Sequence, residues 1–274
     1  MSHHINHSQL AAPAATHSQP ALAAASAPIV LLHSSLSSKE QWGRLVRAFS
    51  PASHVIAIDL HGYGERAMPA MHTKFSLDDE IDLVMSTIRA QAGNTDFHLV
   101  GHSYGGAVAL RLASRMPGKV RSLALYEPVA FGLLEEDDRA RHEVTRLTST
   151  MGAAIDTDRR EATRLFIDYW NGEGAFARLP RALRQEFMQR IAKVPLDFQA
   201  LFGDRLTLAE VARLPFPVCL MAGMRSPDST RRIVQGLAQA LPQADCHYID
   251  AGHMAPMTHA EHINPIIASF VAAH

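Results

Sequence analysis

The chain is predicted to be an α/β protein, with a mostly parallel twisted sheet of about six strands, helices on both faces and an inserted all-helical cap. Three observations predict it. Short apolar runs alternate with helix-like stretches from Pro28 to Tyr126, and again from Pro217 onward. From Pro128 to Arg213 the strand pattern stops and helical stretches follow one another. Gly101-His102-Ser103-Tyr104-Gly105 stands where a strand-like run meets a helix-like one.

The elements follow in order. Ile29 to Leu32 reads as a buried strand, followed by a Ser-rich loop and a helix over Lys39 to Phe49. Val55 to Ile58 is a strand ending at Asp59. Leu77 to Ala92 has helical periodicity, and the acidic residues of its first turn complement the helix dipole. Phe97 to Val100 is the strand before the glycine-rich turn, Ala107 to Arg115 the helix after it, and Val120 to Tyr126 the next strand. Helices are expected over Asp137 to Ile155, Asp158 to Trp170 and Arg181 to Val194. The strand-helix rhythm resumes with Pro217 to Ala222, Ser229 to Ala240, His247 to Ile249 and Glu261 to Ala272. The expected organisation is a core of residues 28–127 and 214–274, with the cap at 128–213.

Bulk properties exclude several classes. The 274 residues suit one large domain or a core with an insertion, and 47% are hydrophobic. A net charge of -1 gives no bulk attraction to nucleic acid or anionic membrane. No apolar stretch reaches the ~18 residues that span a bilayer. Cys219 and Cys246 lie in apolar runs and read as buried small hydrophobes. Residues 1–27 carry no Lys, Arg, Asp or Glu and read as a disordered tail. A signal peptide is the alternative, but it lacks a basic start and Pro13 and Pro20 interrupt it. A cytoplasmic location is therefore expected ahead of export. His3, His4 and His7 read as solvated. With no H-E-x-x-H, C-x-x-C pair or Walker loop, neither metal nor cofactor is implied.

Ser103 carries the chemistry. G-x-S-x-G between strand and helix is the pattern of a nucleophile elbow, which exposes the hydroxyl at a helix N-terminus that favours negative charge. Serine needs a base, and the base an orienting carboxylate. Of the 16 histidines, His253 follows the last strand within Ala251-Gly252-His253 and is the candidate base. Glu127 directly follows a strand, 24 residues after Ser103, and stands before Pro128 at the cap entrance. A carboxylate buried there needs a partner, and a histidine supplies one. Asp228 is the alternative acid, although it also suits a helix start. His102 reads as a wall or packing residue and His98 as core. Most cap aromatics are expected to fill the cap's core or its seam with the sheet.

Four stations together resemble the α/β-hydrolase superfamily, in its capped subgroup. They are Leu31-Leu32-His33-Ser34-Ser35, Asp59-Leu60-His61-Gly62-Tyr63-Gly64, the Ser103 turn, and Gly252-His253-Met254-Ala255-Pro256. The resemblance implies an oxyanion hole built from the backbone N–H groups of Tyr104 and Ser35, with Leu36 or Ser34 as alternatives to Ser35. The candidate substrate-contacting residues are His33, Ser34, His102, Trp170 and Met254, with core filling the alternative for Met254. The family's usual acid position falls on Ser226, which keeps Glu127 and Asp228 in contention; some dehalogenase relatives carry their acid at the Glu127 strand end. The family's leading antiparallel hairpin has no counterpart and is expected to be missing or reduced. The implied activity is cofactor-independent serine hydrolysis of a small or medium carboxylic ester, lactone or thioester. The alternatives are C–C bond hydrolysis of a diketone-type substrate and a non-hydrolytic small-molecule receptor.

Overall fold

The computed structural model describes residues 27–49, 51–69 and 74–274. Expectations about the tail's first 26 residues, its histidines included, lie outside the described residues; Ala27 is already buried. Six strands form one sheet: β1 (Ile29–Leu32), β2 (Val55–Ile58), β3 (Phe97–His102), β4 (Val120–Tyr126), β5 (Val218–Gly223) and β6 (Asp245–Ile249). Their order is β2-β1-β3-β4-β5-β6 and every pairing is parallel. The chain runs outward from β1 to β2, then back past β1 to β3. That reversal opens a crevice at the carboxyl ends of β1 and β3, where open α/β sheets bind ligands.

The helices are α1 (Gly43–Ala48), α2 (Leu77–Ala92), α3 (Ser103–Arg115), α4 (Arg139–Ile155), α5 (Arg159–Asn171), α6 (Ala175–Arg178), α7 (Arg181–Arg190), α8 (Val194–Gly203), α9 (Leu208–Val211), α10 (Asp228–Ala240), α11 (Ala255–Thr258) and α12 (Ala260–Ala272). The stretch expected as a single helix from Lys39 begins as a 3-10 turn, Lys39–Trp42, before α1. The last expected helix of the insertion breaks at Arg190 and resumes as α8, with a proline in its first turn. Pro195 is tolerated there because first-turn N–H groups have no helical acceptor.

Strand alternation builds two cores. Leu31, Val100, Ala124 and Met221 face α1 and α12, packing on Trp42, Leu45, Ile263 and Ile267. Val30, Leu32, Leu99, Leu125 and Leu220 face α2, α3 and α10. This second core continues without interruption into the insertion through Phe131, Phe166, Trp170 and Phe198. Cys219 is buried as expected, but Cys246 is exposed, because edge strand β6 turns alternate residues outward.

Candidate active site

The carboxyl end of β3 runs directly into α3, and Ser103 occupies the junction with φ 55. Non-glycine residues in the left-handed region are uncommon and cluster at functional sites. Among the described residues there are three: Ser103, Glu127 at the end of β4 and Leu36 in the loop after β1. Ser103 and Glu127 both reach His253, and Leu36 follows Ser35, which lines the cavity over Ser103. The turn is tight because its glycines allow it. A Cβ on Gly101 would lie 2.6 Å from the Gly105 carbonyl oxygen, and one on Gly105 would strike the backbone of Leu32 and His33.

Ser103 Oγ lies 2.9 Å from His253 Nε2, and His253 Nδ1 lies 2.6 Å from Glu127 Oε2. A carboxylate accepts, so Nδ1 carries the proton and Nε2 is left to accept from the serine hydroxyl. Glu127 Oε1 accepts from the Gly223 N–H at 2.7 Å. Both carboxylate oxygens are thereby engaged in a fully buried position, which offsets the cost of burying the charge. Asp228 is not part of this group. It starts α10 and pairs with Arg231 and Arg232 at the surface.

Backbone donors flank Ser103. The Tyr104 N–H lies in the first turn of α3, where no helical carbonyl can take it. The Leu36 N–H faces the Tyr63 hydroxyl oxygen. The side-chain hydroxyls are committed elsewhere: Ser34 Oγ donates to Gln41 Oε1 at 2.9 Å, and Ser35 Oγ to Asp197 Oδ2 at 2.6 Å.

A sequence profile described as alpha/beta hydrolase fold matches residues 27–260. The chain belongs to this family. A haloalkane dehalogenase of Bradyrhizobium diazoefficiens is 37% identical over 102 residues, covering 37% of this chain and 32% of that protein. A probable lysophospholipase, BODYGUARD 1 of Arabidopsis thaliana, is 30% identical over 124 residues, covering 43% and 26%. The matched stretches thus span about a third or less of these curated relatives. Among solved structures, an enol-lactonase of Burkholderia xenovorans superposes with TM-score 0.73 at 19% identity, covering 90% of this chain and 91% of that one. A carboxylesterase of Bacillus subtilis gives TM-score 0.70 at 19% identity, covering 90% and 84%. At such identities these likenesses concern the fold.

Within this α/β hydrolase, further hydrogen bonds hold the loops of the site. Tyr126 donates to the Gly252 carbonyl at 2.8 Å, and His102 Nε2 donates to the His253 carbonyl at 2.8 Å. Burial drives the His102 pKa well below its ordinary value and keeps the ring neutral. His33 is likewise neutral, its pKa lowered by burial to about 4. Its Nε2 accepts from the Leu60 N–H at 3.0 Å and its Nδ1 donates to the Ser34 carbonyl. His33 and His102 are therefore braces for the loops around Ser103.

Trp170 of α5 stacks over the His253 ring, with centroids 4.3 Å apart and planes 25° apart. A cavity with room of about 10 Å³, the space of a single water, lies over Ser103. Its walls are Val129, Phe131, Phe166, Val194, Phe198 and Leu201, with polar positions at Ser35, Trp170 and Asp197. Of the five expected pocket residues, only Trp170 borders it. His33, Ser34 and His102 are spent on loop contacts, and Met254 stands outside the walls.

A buried charged cluster adjoins the cavity. Lys193 Nζ reaches Asp197 Oδ1 and, at 3.2 Å, Glu80 Oε1. Tyr104 OH donates to Glu80 Oε1, and Tyr63 OH to Asp197 Oδ2. Sequence reasoning missed this cluster. Glu80 reads as a surface acid of the first helical turn, yet it is fully buried, and burial raises its pKa. The available signal was Lys193 and Asp197, one helical turn apart in an otherwise apolar segment.

For a metal, Cys219, Asp245 and His247 bring ligand atoms within 4.8 Å of one another. They lie near the amino ends of β5 and β6, away from Ser103. Burial pushes the Cys219 thiol up to about 12, and His247 pairs with Asp245 at 2.9 Å. No helix among the described residues is long and apolar enough to cross a membrane.

Proposed function

We propose that this α/β hydrolase is a cofactor-independent serine hydrolase that cleaves a small or medium carboxylic ester through an acyl-enzyme, with lactones and thioesters as neighbouring substrates. The observation that carries the reading is the continuous hydrogen-bond chain from Ser103 Oγ through His253 to Glu127, wholly buried at the end of a strained turn. Ser103 attacks the carbonyl carbon while His253 Nε2 takes its proton. Glu127 holds the ring in the competent tautomer and stabilises the imidazolium that forms. The oxyanion is received by the N–H groups of Tyr104 and Ser35. His253 then protonates the leaving alcohol, and water releases the acid by the reverse transfers.

Residues 128–213 act as a cap in this reading. The Trp170 face lies against His253, where an aromatic face favours a cationic ring. With so little room over Ser103, the cap must shift to admit substrate.

The test is covalent labelling with a fluorophosphonate probe, mapped by mass spectrometry, with Ser103→Ala as control. Rapid labelling confined to Ser103 is expected. A folded protein that resists labelling would sink the hydrolase reading and bring the receptor reading forward. Turnover of a diketone with no turnover of esters would favour C–C bond hydrolysis instead.

A further inference from the structure

Two buried polar groups border the cavity over Ser103 with hydrogen-bonding capacity to spare. The first is the Asp197 carboxylate, 1% exposed. A carboxylate offers about four lone-pair sites. Ser35 Oγ and Tyr63 OH occupy Oδ2, and Lys193 reaches Oδ1, which leaves one acceptor position. The second is the Trp170 indole, 6% exposed, whose Nε1–H has no hydrogen-bond partner. Buried donors without partners are rare and costly; apart from Ser35, whose hydroxyl already donates to Asp197, and Ser103 itself, the remaining walls are hydrocarbon or aromatic.

The cavity has room for about one water, and both residues line it. A methylene placed there satisfies neither. A ketone oxygen accepts from the indole and offers the carboxylate nothing. An ammonium group donates to the carboxylate and leaves the indole N–H unpaired. A hydroxyl both donates and accepts. An anionic group is disfavoured, because the nearby cation is already bracketed: Lys193 pairs with Asp197 and Glu80, and the rings of Phe75, Tyr104 and Tyr63 cover it.

We propose that Asp197 and Trp170 form a hydroxyl subsite, making the preferred substrates esters of short hydroxy acids with the hydroxyl on the second or third acyl carbon. The inference rests on the serine-hydrolase reading. The position along the acyl chain follows from Ser35. Its N–H is the proposed oxyanion donor and its Oγ holds Asp197, so the carboxylate stands about one residue's width from the carbonyl oxygen.

The experiment compares ethyl butyrate, ethyl 2-hydroxybutyrate, ethyl 3-hydroxybutyrate and ethyl 3-oxobutyrate. Each kcat/KM is divided by the rate of hydroxide-catalysed hydrolysis of the same ester. The parent enzyme is expected to favour one hydroxy ester over butyrate by about tenfold or more, as a hydrogen bond to a charged group allows. Asp197→Asn and Trp170→Phe should each bring that ratio toward unity. Trp170→Phe keeps the aromatic wall and does not touch the ion cluster, so it remains informative if Asp197→Asn fails to fold. Equal hydrolysis of butyrate and both hydroxy esters overturns the subsite and leaves the hydrolase reading intact, as does a preference that survives both variants. Absence of turnover with every ester counts against the hydrolase. Calorimetry on Ser103→Ala then decides the subsite: equal binding of butyrate and hydroxybutyrate esters overturns it, and tighter binding of a hydroxy ester supports it.

Discussion

Glu127→Gln replaces a single oxygen with an amide nitrogen and is expected to remove nearly all activity. Oε1 accepts from the Gly223 N–H at 2.7 Å, a place only an oxygen can fill. The glutamine must therefore turn its carbonyl toward Gly223 and its NH2 toward His253 Nδ1. That nitrogen then has to accept, and the ring proton moves to Nε2, the atom 2.9 Å from Ser103 Oγ. A protonated Nε2 cannot take the serine proton. The corresponding asparagine substitution in a serine protease lowers kcat by about 10⁴-fold through the wrong tautomer. A similar loss here is about 5 kcal/mol of transition-state stabilisation. The assay is kcat on p-nitrophenyl butyrate, together with the rate of fluorophosphonate labelling and a thermal melt to establish folding. A well-folded variant with kcat within tenfold of the parent would refute the argument. Asp228→Asn, on the surface beside Arg232, should leave kcat within about twofold, since surface changes of this kind rarely propagate.

Lys193→Met should lower stability by about 3–5 kcal/mol, because it leaves Glu80 and Asp197 buried without their cation. At about 2–4 °C per kcal/mol the melting temperature falls by roughly 6–20 °C, and adding Glu80→Gln and Asp197→Asn should recover part of it. Gly105→Ala sets a methyl against the backbone of Leu32 and His33, so loss of soluble, fluorophosphonate-reactive protein is expected; full labelling would contradict the tight-turn account. Stability should also fall on acidification. His33 resists protonation until about pH 4 when folded but protonates near 6.5 when unfolded, so its contribution is complete above 6.5 and lost between 6.5 and 4. The full span corresponds to about 3 kcal/mol. His102 acts in the same direction. Glu80, whose pKa is raised by burial, opposes both, since the folded state keeps a proton that the unfolded chain releases as pH rises. Urea unfolding at pH 7 and pH 5 checks the sign; greater stability at pH 5 would contradict it.

Local pattern carried the strands, the elbow and the order of Ser103, Glu127 and His253. Ile29 to Leu32 and Leu123 to Tyr126 are apolar on both faces, and such runs are stable only inside a sheet covered on both sides. Gly101 and Gly105 mark the turn because other residues would strike backbone atoms there. The choice between Glu127 and Asp228 could be posed from sequence but not closed. It depends on which carboxylate the β4–β5 pairing sets beside the final loop.

The sequence by itself determined the sheet, the helical insertion and the residue types available for chemistry, because apolar periodicity and turn requirements act within a few residues. Only the tertiary structure decided which polar groups share a site. Glu80 and Lys193 meet across 113 positions, and Ser35 and Asp197 across 162. Nothing within a few residues of any of them names its partner. A charge has no periodicity to reveal its burial. Its partner is set by how the helices pack over the sheet, and only that packing withdraws water from Asp197, Trp170 and His253 together.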